Sequence, residues 1–244
     1  MLHSITTKFE INITDTNVDP VAAADFAQRN RCPAVVVSPE YIAQTVNNKI
    51  AKRGNYSIIA TVDFPKGQRF SLEKLNRSGD DIGAAEGYDV LLSTHRSQVE
   101  CNNEMRAILQ FLKSLNPVVD LRWSLRMHTD SDEDSRKVLT NLTKHPARFI
   151  RVDPHLEIPN VGLDHHKRHL ALIREYMATP IKLSGNLDLE TVKFFAENHP
   201  NCRFDLTMEQ AVSIVQKLDQ ESRKDDEARW AEQRRREQKA ITQS

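Results

Sequence analysis

The sequence predicts a closed barrel of eight parallel strands wrapped by helices, an α/β fold of the (β/α)8 TIM-barrel type. Three observations carry this. Eight short β-rich runs alternate with amphipathic stretches of helical period over about 215 residues, the order expected of parallel strands joined by crossover helices. The 244 residues are enough for one large core, and α/β barrels reach this size as a single domain. Only 7 glycines are present, and neither G-x-G-x-x-G nor G-x-x-x-x-G-K-[ST] occurs, so the open doubly wound alternative lacks its glycine-rich first turn.

The elements follow in order. Strands are expected over Phe9–Ile13, Ala34–Val37, Ser57–Val62, Asp89–Leu92, Asp120–Met127, Arg148–Val152, Pro180–Leu183 and Cys202–Leu206, where apolar side chains are concentrated in short runs. Helices are expected over Val21–Gln28, Tyr41–Lys52, Leu72–Glu86, Met105–Leu115, Asp134–Lys144, His165–Met177, Leu189–Asn198 and Met208–Leu218. Ser38-Pro39 is an opening signal for the second helix, and Pro200 is a stop after the seventh. From Asp219 onward most residues are charged or carry an amide, with Trp230 the large apolar residue in the middle of the stretch and Ile241 near its end. Glu232 and Arg236, at i and i+4, support a helix there. The barrel is therefore expected over residues 1–218, followed by a charged helical extension over 219–244.

Composition excludes several classes. The 34 basic and 34 acidic side chains cancel, which removes any global electrostatic reason to expect nucleic acid. No apolar run approaches the roughly 18 residues of a membrane span, and the first ten residues lack the apolar centre of a signal peptide. Cys32, Cys101 and Cys202 are odd in number and far apart, so they offer neither a disulfide framework nor a paired metal site. A reducing, cytoplasmic setting is expected, with no cofactor.

The fifth strand alternates cleanly. Leu121, Trp123, Leu125 and Met127 share one face, and Arg122, Ser124, Arg126 and His128 share the other. The apolar face should meet the helices and the basic face the lumen. The neighbouring strands then add Arg151 with Asp153, Lys182 with Ser184, Arg203 with Asp205, and Asp63 and Asp89. Buried charges are costly unless paired. Two readings follow: a self-neutralising ion-pair network that fills the lumen, or a site whose cations await a phosphate or carboxylate.

At these residues the sequence resembles the deoxyribose-phosphate aldolase family, class I aldolases built on a (β/α)8 barrel. Ile59-Ala-Thr-Val-Asp-Phe-Pro-Lys-Gly67 is similar to that family's third strand and following loop, and Gly83-Ala-Ala-Glu-Gly-Tyr-Asp-Val90 to its fourth strand. Asp15-Thr-Asn-Val18 and Ala34-Val-Val-Val-Ser-Pro39 look like the first two. Phe149-Ile-Arg-Val152, Pro180-Ile-Lys-Leu-Ser-Gly185 and Arg203-Phe204 resemble the sixth, seventh and eighth. The resemblance implies Asp89 as the proton-transfer carboxylate and Lys182 as the second lysine of the site. It puts Arg151 where the family has its Schiff-base lysine, and a guanidinium stays protonated and forms no imine. The family's phosphate turns become Ser184-Gly185-Asn186 and Asp205-Leu206-Thr207.

The candidate catalytic pair is therefore Lys182 and Asp89. The candidate substrate-binding set is Arg151, Arg126, Asp63, Asp15, Asp153, Ser184 and Gly185. The leading expectation is a divergent barrel without standard Schiff-base activity, binding a small anionic or phosphosugar ligand or acting as a scaffold. An active aldolase using Lys182, its amine activated by the neighbouring Arg151 cation, is the alternative. An assembly protein that forms a homo-oligomer or meets a protein partner through the C-terminal helix is the third.

No metal site is expected. Asp164-His165-His166-x-x-His169 places two histidines at i and i+4, but it lacks a glutamate or a third ligand and is read as a solvated helix face. His128, Asp153, His155 and Asp89 share only residue types with a metal-dependent hydrolase, and the neighbouring cations would repel a divalent ion.

Overall fold

The computed structural model describes residues 2–14, 18–62, 80–92, 96–115, 117–118, 120–127, 132–145, 147–154 and 162–242. Its strands are β1 (Phe9–Asn12), β2 (Ala34–Val37), β3 (Ser57–Val62), β4 (Gly87–Leu91), β5 (Asp120–Met127), β6 (Phe149–Pro154), β7 (Ile181–Leu183) and β8 (Arg203–Thr207). They close in sequence order into one parallel barrel, β8 pairing with β1. The expected (β/α)8 architecture is thus the one found.

The helices among the described residues are α1 (Leu2–Thr6), α2 (Pro20–Arg29), α3 (Ile42–Lys52), α4 (Gln98–Leu115), α5 (Asp132–Leu142), α6 (Leu163–Arg174), α7 (Leu189–Asn198) and α8 (Met208–Thr242). Local chemistry sets their ends. Asp19 caps α2 by accepting from the Val21 amide at 2.9 Å, with Pro20 at the first helical position. Asp188 caps α7 by accepting from the Thr191 amide at 2.7 Å.

Three elements differ from expectation. The short α1 has no counterpart in the sequence reading. Helix α4 starts at Gln98, seven residues before Met105, because Ser97 and Glu100 form a capping box: the Ser97 amide donates to Glu100 at 3.0 Å and the Glu100 amide to the Ser97 hydroxyl at 3.3 Å. The helix expected over Leu72–Glu86 lies partly outside the described residues; within them, Asp80–Ala84 is a 3-10 turn. No helix among the described residues is long and apolar enough to cross a membrane.

Two apolar layers result from the period-two alternation of the strands. Outward-facing side chains such as Phe9, Ile11, Val35, Tyr88, Trp123, Leu183 and Phe204 join the helices in one large core. Trp123 is fully buried there, and its indole N–H donates to the His145 carbonyl at 3.0 Å. Inside the barrel, Ala34, Val36 and Ile59 form a small separate apolar cluster. A Cβ on Gly87 would lie 2.8 Å from both the Asp120 carbonyl and the Ile59 side chain, so only glycine lets β4 approach β5 this closely.

Candidate functional site

Register decides what enters the lumen. Glu10 lies opposite Asp205, Asp89 opposite Arg122, Ser124 opposite Arg151, and Arg151 opposite Lys182, which lies opposite Arg203. These residues have the inward parity on their strands, so β4 through β8 and β1 line the interior with charge. Strands β2 and β3 supply the apolar cluster of Ala34, Val36 and Ile59. The lumen therefore has a charged sector and an apolar sector.

Lys182 is the centre of the charged sector. Its ammonium lies 2.9 Å from Glu10 Oε2 and 3.4 Å from Asp205 Oδ1, and it donates to Asp89 Oδ2. Arg151 lies 2.8 Å from the other Asp205 oxygen and 3.8 Å from Asp89. Asn12 donates to that same Asp205 oxygen at 2.6 Å. Below them Arg122 donates to Glu10 and lies 3.1 Å from Asp120, while Arg203 reaches Glu10 at 3.2 Å. Phe149 closes this end, with the Arg203, Arg122 and Arg148 guanidinium groups 5.0, 5.4 and 5.9 Å from its ring centroid.

Burial and charge act against each other throughout. Burial alone would raise the Glu10 carboxyl, but Arg122, Lys182 and Arg203 together hold it down at about 2. Burial lowers the Lys182 amine, yet Asp205, Asp89 and Glu10 outweigh it and keep that amine above its ordinary value. Asp89 shows the opposite balance: burial raises its carboxyl more than Lys182, Arg122 and Arg151 lower it.

The C-terminal mouth holds the turn after β7. The Ser184 hydroxyl donates to the Val152 carbonyl at 3.2 Å, and Gly185 adopts a left-handed φ of 98°. The Gln210 side chain donates to the Gly185 carbonyl at 2.9 Å and to Asn186 Oδ1 at 3.1 Å. Gln210 also closes a capping box at the start of α8, accepting from the Thr207 amide at 3.0 Å.

Of the sequence-predicted residues, the structure brings Lys182, Asp89 and Arg151 into one network and places Ser184 and Gly185 at the mouth beside it. The backbone of Arg126 pairs with that of Asp153 across β5 and β6, but their side chains lie outside the described residues. Asp15, Asp63, His128 and His155 lie outside them altogether. Sequence reasoning missed Glu10, Asn12 and Asp120. The signal for Glu10 and Asn12 was the alternation with Phe9, Ile11 and Ile13, which point outward into the core.

Carboxylate oxygens of Glu10, Asp89 and Asp205 lie within 4.8 Å of one another, a spacing suited to a cation. The Lys182 ammonium already occupies that role by contacting all three.

The histidine motif requires a correction. His166 and His169 are buried rather than solvated, because α6 turns this face toward α7 and its aromatic residues. His165 stacks edge-on to His169 with centroids 4.0 Å apart, and His166 lies 6.4 Å from the Phe195 ring. Burial, with a smaller push from His165, lowers His166 to about 4. An unfolded chain takes up this proton near 6.5 and the folded one only near 4, so folding stability falls as pH drops through that interval. The expected loss is about 3 kcal/mol. Chemical denaturation at stepped pH should show it, and His166→Phe should remove it.

No protein-family model matches the chain, and no curated protein matches it significantly. Solved structures do. The chain is similar to a tetrameric deoxyribose phosphate aldolase from Aeropyrum pernix, with a TM-score of 0.75 and 13% identity over 90% of this chain and 92% of that one. An aldolase designated QR15 gives a TM-score of 0.70 and 15% identity, covering 88% and 95%. A 2,3-dimethylmalate lyase of the PEP mutase/isocitrate lyase superfamily gives 0.55 and 11%, covering 89% and 82%. The barrel expected from the sequence resemblance is thus the barrel shared with these enzymes, and at such identities the likeness is one of fold.

Proposed function

We propose that this chain is an aldolase-type barrel that has given up imine chemistry and works as a binding or scaffold protein. A small anion, a phosphosugar by the resemblance, is the ligand class its mouth would take. One observation carries the reading: the Lys182 ammonium is fully buried, touches three carboxylates and is held in its charged form. An imine needs a neutral amine with room for a carbonyl carbon beside it. Arg151, the neighbouring cation, is itself committed to Asp205. Among the described lumen residues, the cationic side chains Arg122, Arg151, Lys182 and Arg203 are matched in number by the carboxyl groups of Glu10, Asp89, Asp120 and Asp205.

A second reading has one observation in its favour. The Lys182–Asp89 contact joins an amine to a carboxyl that burial has raised, the pairing through which a proton could leave the amine. Borohydride trapping with deoxyribose 5-phosphate and simple aldehydes, read by intact mass and peptide mapping, separates the two. No adduct on folded protein is expected. An adduct on Lys182 that disappears in Lys182→Arg, which retains the cation, would establish an active aldolase instead. The ligand is tested by thermal unfolding with a panel of phosphate esters. A rise of several degrees is expected at concentrations about 100-fold above the dissociation constant, whereas no rise would leave the scaffold role alone.

A further inference from the structure

Helix α8 runs without interruption for 35 residues, from the mouth of the barrel to Thr242. Its first part is anchored: Ala211, Ile214 and Leu218 are buried, and Lys193 of α7 pairs with Glu221. Beyond Glu221 every described side chain is exposed except the half-buried Ala231. About 30 Å of helix therefore projects with no apolar stripe of its own. Trp230, 63% exposed, is the large apolar residue among its described side chains.

The charges around Trp230 are arranged about a centre. Asp225, Asp226 and Glu227 precede it, and Arg234, Arg235 and Arg236 follow it. Reflected through the point between Trp230 and Ala231, Asp225 falls on Arg236, Asp226 on Arg235, Glu227 on Arg234 and Arg229 on Glu232. Every charged residue in 225–236 thus maps onto an opposite charge, and none onto its own kind. That reflection is the operation performed by a twofold axis on two antiparallel helices. Parallel pairing in register would instead set acid on acid and arginine on arginine.

Within one chain this pattern is poorly used. Arg229 pairs with Asp226 at 3.3 Å and Arg236 with Glu232, while Arg234 donates to the Trp230 carbonyl at 3.4 Å. Asp225, Glu227 and Arg235 make no ion pair among the described residues. Exposed pairs along a helix are weak and can be exchanged at little cost. The face one turn either side of Trp230 carries Asp226, Glu227, Gln233 and Arg234. Two such faces would stack the two Trp230 rings near the axis and place a Glu227–Arg234 pair on each side.

We propose that the projecting part of α8 is an interaction surface for a second copy of this chain, pairing antiparallel about Trp230 through charge complementarity. With one aromatic anchor and otherwise exposed ion pairs, the dimer is weak and sensitive to salt. Sedimentation of the full chain from about 1 µM to about 200 µM tests it. A monomer–dimer equilibrium is expected whose dissociation constant rises at least about tenfold between about 50 mM and about 500 mM salt.

Two charge reversals sharpen the test, Asp225→Arg/Asp226→Arg/Glu227→Arg and Arg234→Glu/Arg235→Glu/Arg236→Glu. Each should be monomeric alone, with barrel unfolding unchanged, and an equimolar mixture should dimerise. A wild-type chain that stays monomeric throughout, a dimer that withstands salt and both reversals, or a mixture that fails to associate would each overturn the proposal.

Discussion

Lys182→Met should be among the most damaging single substitutions in the barrel, costing about 3–5 kcal/mol of folding stability. The ammonium it removes is the shared partner of Glu10, Asp89 and Asp205, all buried. Methionine matches much of the volume and leaves the carboxylates facing one another. Their repulsion, more than the lost contacts, sets the size of the effect. For a domain of this size the melting temperature should fall by about 10 °C. Denaturant unfolding at neutral pH measures the loss directly. The deficit should shrink in acid, because protonating the carboxylates relieves the variant more than the wild type. Lys182→Arg should recover part of it, since the positive charge is kept. A Lys182→Met protein as stable as wild type would mean that the lumen is wet enough to screen the carboxylates.

Glu10→Gln should have an effect of the same order, with the opposite charge left over. Glu10 is the shared partner of Arg122, Lys182 and Arg203, and the amide cannot neutralise them. Its pH signature is distinctive. A carboxyl held at about 2 when folded, against an ordinary 4.5, contributes stability above 4.5 that is lost as pH falls toward 2. The contribution is about 3 kcal/mol, and the glutamine variant should lack it. Asp89 works against this trend, because burial raises its carboxyl and the folded state gains from protonating it. The difference between wild type and Glu10→Gln, followed from pH 5 downward, isolates the Glu10 part. The His166 loss is already complete near pH 4, so the two acid effects occupy mostly different intervals.

Strand positions were legible because each rests on a local signal, a short apolar run as in Ala34–Val37 or an alternation as in β5. Leu121, Trp123, Leu125 and Met127 alternate with polar residues, and that alone assigned Arg122 and Ser124 to the lumen. Helix α4 was read short because its true start depends on a reciprocal cap at Ser97 and Glu100, whereas apolar periodicity becomes clear only from Met105. Glu10 escaped for another reason. Its alternation with Phe9 and Ile11 marks only which way it points, not what it meets, and its partners are 112, 172 and 193 residues away. Only the closure of β8 onto β1 makes it central. The burial of His166 was in principle readable, since His166, Leu170 and Ile173 share one helix face. The pairing of His165 with His169 at i, i+4 drew the reading to the neighbouring face.

The shared ammonium has a consequence for how the chain can vary. Each carboxylate around Lys182 is tolerable because the lysine is there, and the lysine is tolerable because they are. Single replacements are then penalised whichever member goes first, and only a joint exchange for apolar residues that also takes in Arg122, Arg151 and Arg203, the other partners of these carboxylates, would cost little. Such a set is epistatically locked. A lysine and an aspartate facing each other in the middle of this barrel can persist through descent for the sake of folding alone, and their retention would not testify to a reaction.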